Sequence, residues 1–379
     1  MSVDVAVVGC GIIGAAVAWR LSQLGLTVAA FDPAPGDGAT HAAAGMLADV
    51  TEAEFGEDHL TALNVASARE WPAFAAELSS AAGGADLAFR RTGTLTVAYD
   101  SGDRQQLRRL LTLRRGLGLP VEEVSVDEAR RLEPLLGPRL AGATWTPDEH
   151  QVDPRRVHAA LLKVLAGRGV AVVRRRVAEL SRSPSGTVDG VLDAAGERHP
   201  AGSVVLAAGW ASRELAGVPT RPVKGQLLRL DASAQPGFAL GRVVRGFVQS
   251  RAVYLVPRQD GEVVVGATSE EQPDDRQVTA GGAYAILRDA RALIPGIDEL
   301  PLAELTARAR PGSPDNVPMI GESGIPGLLL ATGHHRNGIL LAPLTASALA
   351  ARYRAGTAPE WAAAADPRRF AATFTGGPR

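Results

Sequence analysis

Hydrophobic positions in this chain fall into short β-branched runs separated by longer stretches of helical period. Val3, Val5, Val7 and Val8 form a run whose only charge is Asp4, the pattern of a strand buried on both faces of a parallel sheet. It passes into Gly9-Cys10-Gly11-Ile12-Ile13-Gly14, then an apolar helix over 15 to 24, then a second strand over 27 to 31 that ends at Asp32. Residues 56 to 82 set Leu60, Leu63, Trp71, Phe74 and Leu78 on one broad apolar face and predict a long helix. Alternation over 95 to 99 predicts a strand, and 104 to 117 a charged amphipathic helix. Ser125 with Glu128 reads as the capping box of a short helix through Leu132, and Asp153-Pro154 as the start of another that runs to Gly167.

Further on, 170 to 173 and Val177 are strand-like, and 191 to 193 reads as one arm of a hairpin. A second buried strand over 203 to 206 ends in Ala207-Ala208-Gly209-Trp210. Four short strands (226 to 230, 243 to 248, 253 to 256, 263 to 265) predict antiparallel β between 221 and 310. Apolar strands return over 317 to 320 and 328 to 331, and the segment 333 to 338 opens a last helix expected over 339 to 353. The tail past Pro367 is expected to be loosely ordered.

The first of these stretches carries the strongest chemical signal. G-x-G-x-x-G alone is weak among 42 glycines, but here a strand precedes it, a helix follows, and an acid stands roughly 20 residues further on. Gly9 permits the tight turn, Gly11 lets a pyrophosphate approach the backbone, and Gly14 lets the helix sit close to the strand. The helix N-terminus faces the anion, and Asp32 can accept from a ribose hydroxyl. The pattern predicts an adenine-dinucleotide site, NAD or FAD.

Composition narrows the class. At 379 residues the chain exceeds what one hydrophobic core usually serves, so two domains are expected. A net charge of −1 gives no reason to expect nucleic acid or an anionic membrane as partner. No apolar stretch is long enough to span a bilayer, and nothing ahead of Val3 reads as a signal peptide. Cys10 is the only cysteine and reads as a small packing residue, with a reducing, cytoplasmic location expected. No zinc constellation, P-loop or Ser-His-Asp triad is apparent, and no metal is expected.

With these segments in place the sequence resembles the D-amino-acid oxidase superfamily and, within it, the glycine-oxidase branch of thiamine biosynthesis. The resemblance is carried by HAAAGML at 41–47, DEHQVDP at 148–154, LAAGW at 206–210, RPVKGQLLRL at 221–230 and YLVPR at 254–258. RPGSPDNVPMIG at 310–321 and GHHRNGILLAP at 333–343 are its most specific parts. It implies an α/β fold: a discontinuous Rossmann-type FAD-binding domain (1–86, 151–222, 308–379) and a mainly antiparallel α+β substrate domain (87–150, 223–307). It also implies non-covalent FAD, oxidation of a small amino acid with molecular oxygen as acceptor, and a homo-oligomer, tetramer or dimer. A dehydrogenase with another electron acceptor stays open, as does a nicotinamide-binding regulatory module without chemistry.

By the same resemblance FAD would meet Ile12 and Ile13 in the glycine turn, Asp32, Thr40, His41, Ala44, Gly45, Met46 and Leu47. Val177 would touch the adenine through its backbone, and Ala208, Gly209 and Trp210 would close over the dinucleotide. His334, His335, Arg336, Asn337, Gly338, Ile339 and Leu340 would set amide groups near the flavin. Arg310 matches the family's carboxylate clamp, a role that suits an always-charged, bidentate guanidinium. Tyr254 matches a pocket tyrosine and Arg336 an active-site arginine. Ser269 stands where the branch has a methionine, which leaves the choice among glycine, sarcosine and small D-amino acids open.

Overall fold

The structure, a computed structural model, describes residues 2–272, 275–357 and 359–373. The strand Val3–Val8 lies between Val28–Phe31 and Arg198–Leu206 and runs parallel to both. Its sheet continues outward to Ala171–Val173 on one side and to Leu328–Thr332 and Met319–Glu322 on the other. The antiparallel strands Val177–Arg182 and Val188–Asp193 join it through Arg198–Leu206.

Burial on both faces explains the lack of polar alternation in the first strand. Val5 and Val7 pack with side chains of the helices Ile12–Gln23, Asp58–Ala81, Pro154–Gly167 and Ala342–Ala355, among them Trp19, Trp71, Leu161 and Leu344. Ala6 and Val8 face the opposite core with Val177, Val191 and Leu330. At the strand's end the turn is tight: Gly9 has φ +95°, and a Cβ there would stand 2.4 Å from Ala207 O. A Cβ on Gly14 would stand 1.9 Å from Gly9 O, so the helix can lie against the turn only with hydrogen at that position.

The second sheet runs in the order Leu302–Gly312, Arg221–Asp231, Glu262–Gly266, Arg251–Pro257, Val243–Val248, Thr94–Ala98, Gly142–Thr146, Glu122–Val124. Its neighbours are antiparallel except Val243–Val248 with Thr94–Ala98, which are parallel. Period-2 alternation divides its side chains. Leu228, Leu230, Val253, Leu255, Val263 and Val265 pack with Ile286, Ala290 and Leu293 of the helix Ala280–Leu293. Leu227, Val256, Val264 and Tyr254 point the other way, onto Ala42, Ala44 and Met46 of the first domain's loop. That second face is the floor of the site.

Four elements differ from the sequence-based expectation. The helix Ala280–Leu293 was not expected in a strand-rich section: Gly281 and Gly282 mask its start, which is capped by the Thr279 hydroxyl accepting from Gly282 N–H. Leu302–Gly312 is a full-length strand whose Arg-Ala alternation lacks the apolar run that marks a strand. It pairs with Arg221–Asp231 along its length, so both strands cross the segment limits expected at 222 and 308. The last helix begins at Ala342, preceded by a 3-10 turn over His335–Asn337. Pro367–Thr373 forms further 3-10 turns, where Arg369 donates to Asp315 and to Val317 O, and the remaining tail lies outside the described residues. No helix among the described residues is long and apolar enough to cross a membrane.

Gly14→Ala is expected to push the first helix off its strand and cost about 1–3 kcal/mol, as overpacking typically does. A lowered thermal midpoint checks it; an unchanged midpoint would mean that the helix and strand are not held at the observed distance.

Candidate active site

A cavity of about 980 Å³ runs between the two sheets, from the glycine turn to the floor of the second sheet. At its first end, Gly9, Gly11, Ile12 and Ile13 meet Asp32, Thr40 and Val177. The Thr40 hydroxyl accepts from Ile12 N–H at 3.0 Å, which ties the loop to the helix start. Asp32 Oδ2 accepts from Cys10 N–H at 2.7 Å and Oδ1 from Ala34 N–H at 2.9 Å. Each oxygen keeps a further lone pair for a hydroxyl. Cys10 itself is buried, which pushes its thiol up to about 12 and leaves it a neutral packing group.

In the middle stretch Ala44, Gly45 and Met46 face Ala208, Gly209 and Trp210 across the cavity. Gly45 has φ +76°, and a Cβ there would meet Val152 O at 2.0 Å, so the loop can pass only as glycine. The segment His334 to Ile339 forms the far wall. The first α-helical bond of this region runs from Leu341 N–H to Asn337 O at 2.8 Å, so the amides of the preceding turn lie outside the helix ladder. His335 Nδ1 and Asn337 Nδ2 are buried there without partners. Burial pushes the His334 and His335 imidazoles down to about 3, and the Arg336, Arg310 and Arg221 charges act in the same direction on His335. Both rings are therefore neutral across the physiological range, which argues against either as a protonated acid. His334 Nε2 is 2.9 Å from Thr345 Oγ1.

The same end of the cavity is charged, and Gly312 bridges to His334 there. Arg310 projects from the strand Leu302–Gly312 and donates from Nη1 to Thr268 O at 3.1 Å; among the described residues it has no carboxylate partner. Gly225 makes its position possible, since a Cβ there would lie 2.5 Å from Arg310 Nη1. Tyr254 pairs across strands with Arg245 and with Gly266. Among the described residues its hydroxyl makes no hydrogen bond, and burial raises its phenol above the usual range. Ser269 lies exposed at the cavity's edge. Arg336, by contrast, is held by two carboxylates: it donates from Nε to Glu52 and from Nη2 to Glu57. Glu52 also lies 2.6 Å from Arg245 Nη1. Burial alone would raise the Glu52 carboxyl, but Arg245 and Arg336 outweigh it and hold it down at about 2.

The cavity thus brings together every site residue expected from the sequence except Gly14, His41, Leu47 and Leu340. Gly14 sits behind the turn, against Gly9. Leu47 is buried in the helical core. Leu340 is also buried, and its carbonyl accepts from Ser67 Oγ at 2.6 Å and Trp71 Nε1 at 2.8 Å. The His41 ring turns to Arg155 Nη2 at 2.9 Å and Glu304 Oε1 at 3.4 Å, away from the lining. Sequence reasoning missed Glu52, Glu54, Arg114 and Arg245 on the lining. A charge inside the apolar strand Val243–Val248 was the available signal for Arg245.

Three comparisons place this geometry. A family model described as FAD dependent oxidoreductase matches residues 4–352. A glycine oxidase of Geobacillus kaustophilus is 36% identical over 352 residues, covering 90% of this chain and 90% of that protein. A bifunctional protein ThiO/ThiG of Synechocystis is 33% identical over 91% of this chain, which spans only 50% of that protein. Among solved structures, Geobacillus kaustophilus glycine oxidase superposes with TM-score 0.88 at 32% identity, covering 97% of this chain and 99% of that one. Iminodiacetate oxidase from Chelativorans sp. BNC1 does so with TM-score 0.85 at 27% identity, covering 96% and 98%. The chain belongs to the D-amino-acid oxidase family of FAD-dependent oxidoreductases.

The residues present fit FAD. The cavity is long enough to join the glycine turn to the charged wall, and a Cβ at Gly38 or Gly209 on its lining would meet nothing within 4 Å. The unpartnered His335 Nδ1 and Asn337 Nδ2 give its far end polar atoms with no protein group to satisfy them.

The neutral histidines carry a pH consequence. Their folded-state values lie below the unfolded one, so the unfolded chain binds more protons between about 3 and 6.5 and stability falls as pH drops through that window. His334→Gln, which keeps a partner for Thr345, is expected to lose less stability than the parent between pH 6.5 and 4.5. Parallel denaturation curves at the two pH values check this; equal losses would mean that His334 is not buried as a neutral ring.

Proposed function

We propose that the protein is an oxidase of small amino acids, namely glycine, sarcosine and small D-amino acids. With glycine its products are the imine, hydrolysed to glyoxylate and ammonia, and hydrogen peroxide. The observation that carries this reading is Arg310: a guanidinium on the cavity wall, free of any carboxylate among the described residues, beside the unbonded hydroxyl of Tyr254. A substrate carboxylate would take bidentate bonds from Arg310 and a further bond from Tyr254, each charge-assisted bond contributing roughly 1.5–3 kcal/mol. That grip orients the amine carbon toward the centre of the cavity.

The chemistry supplied by bound FAD is acceptance of a hydride from that carbon at N5 and its return to oxygen as hydrogen peroxide. FAD would be held non-covalently by the glycine turn and Asp32 at one end and by the segment His334 to Ile339 at the other, within the domain formed by 1–86, 151–222 and 308–379. The side chain of His41, paired with Arg155 and Glu304, is directed away from a covalent bond to the flavin. No protein base is required, because the neutral amine form of the substrate can transfer hydride once aligned. Arg336 serves the site as a fixed wall and not as a free anion receptor, since Glu52 and Glu57 occupy it. The relatives' names support a place in thiamine thiazole assembly and a cytoplasmic homo-oligomer is consistent with the reading.

The purified protein is expected to be yellow, to bleach with glycine under anaerobic conditions, and to regain its colour in air. If air never restores the colour, a dehydrogenase with another acceptor replaces the oxidase reading. Arg310→Ala is expected to retain its FAD spectrum and lose saturation by carboxylate-bearing amines, with kcat/KM down by roughly a hundredfold or more, the loss of two charge-assisted bonds. Normal saturation in that variant would show the clamp to be misassigned.

A further inference from the structure

Three arginines converge on the substrate end of the cavity, Arg245, Arg310 and Arg336, and their partners are unequal. Glu52 lies between two of them, 2.6 Å from Arg245 Nη1 and bonded to Arg336 Nε. Glu57 takes Arg336 Nη2. Arg245 Nη1 also reaches Thr51 Oγ1 at 3.3 Å. Two positive and two negative charges therefore close on one another, and of these three arginines Arg310 alone has no carboxylate partner among the described residues. Glu54 adds an acid to the lining that makes no ion pair among the described residues, and burial raises its carboxyl. Arg114, also on the lining, donates to Thr51 O at 2.7 Å and Ala53 O at 3.4 Å, and its Nη1 is buried without a partner among the described residues.

The consequence concerns which ligands fit. One carboxylate gains a full partner in Arg310. A second carboxylate in the same pocket meets guanidiniums already occupied and the charges of Glu52 and Glu54 close by. Discrimination by leaving an incoming charge unpaired is a strong form of specificity, because desolvating a carboxylate without a partner is costly. We propose that Glu52 is a specificity-determining residue: by occupying Arg245 and Arg336 it leaves Arg310 as the single anion receptor, so the pocket takes amines with one carboxylate and excludes those with two. This rests on the proposed oxidase reading for its substrates, though not for ligand binding itself.

Binding is measured first on the wild-type holoenzyme, from the shift of the flavin spectrum on titration with malonate and with monomethyl malonate. The two ligands are close in size and differ by one negative charge. Monomethyl malonate is expected to bind at least tenfold tighter; equal affinity, or tighter malonate, overturns the proposal. Because no turnover is needed, this comparison stands even if glycine fails to reduce the flavin, an outcome that would remove only the oxidase reading. In Glu52→Gln, two guanidiniums lose their shared charge partner. The kcat/KM ratio of glycine to iminodiacetate is then expected to fall at least tenfold, chiefly through a lower KM for iminodiacetate. A ratio within twofold of wild type, in a variant that keeps its FAD and stays folded at the assay temperature, overturns the assignment to Glu52. Should that variant lose FAD, Glu57→Gln, which removes one of the two carboxylates on Arg336 and leaves Glu52 on the other side, carries the same test with a smaller shift, and no shift there counts against the proposal.

Discussion

One half-buried carboxylate, Glu52 between Arg245 and Arg336, ties together parts of the chain that lie far apart in sequence. The acid comes from the loop after Leu47, one arginine from the floor of the second sheet, and the other from the turn before the last helix. Such a bridge is weak evidence of net stability, since burying its members costs about what their attraction returns. Removing one member is another matter, because it strands a charge, at a cost below the roughly 3–5 kcal/mol of a fully buried pair. The bridge is thus a device that fixes positions. Its loop is held from behind as well, by Glu149 accepting from the Val50 and Thr51 amides at 3.0 and 2.5 Å.

Around that bridge the two sheets supply opposite kinds of surface. The first sheet, buried on both faces, ends in a glycine turn where backbone alone approaches the cavity, as Gly9 and Gly14 require. The second sheet alternates, one side chain to its own core and the next to the cavity, so Tyr254 and Arg245 reach inward while Val253 and Leu255 pack outward. The long pairing of Arg221–Asp231 with Leu302–Gly312 sets the register that places Arg310 over Gly225. Cofactor cradle and anion receptor are in this way built from separate layers and meet only in the cavity.

The sequence made the first layer legible because its signals are local. A β-branched run, three spaced glycines and an acid lie within one βαβ stretch, and the helix Pro154–Gly167 follows from Asp153-Pro154 with its cap in place. The second layer was harder. Leu302–Gly312 owes its extended form to pairing with a distant strand, and its Arg-Ala alternation carries no apolar run. Ala280–Leu293 begins in glycines that argue against a helix until a sheet offers its face to the apolar stripe. For the site, motif resemblance brought Arg310 and Tyr254 to notice. It did not reveal that Arg336 is neutralised, because that depends on Glu52 and Glu57, both nearly three hundred residues earlier in the chain. The pairing of the His41 ring with Glu304 was illegible for the same reason, because the two are remote in sequence.

The account stands or falls on which arginine receives the substrate's charge. The most direct measurement is a crystal structure of the FAD-bound protein with a small monocarboxylate that cannot be oxidised, such as glycolate or acetate. The account predicts the carboxylate on the Arg310 guanidinium and the Tyr254 hydroxyl, with Glu52 still bridging Arg245 and Arg336. A carboxylate seated on Arg336 with that bridge opened would contradict it.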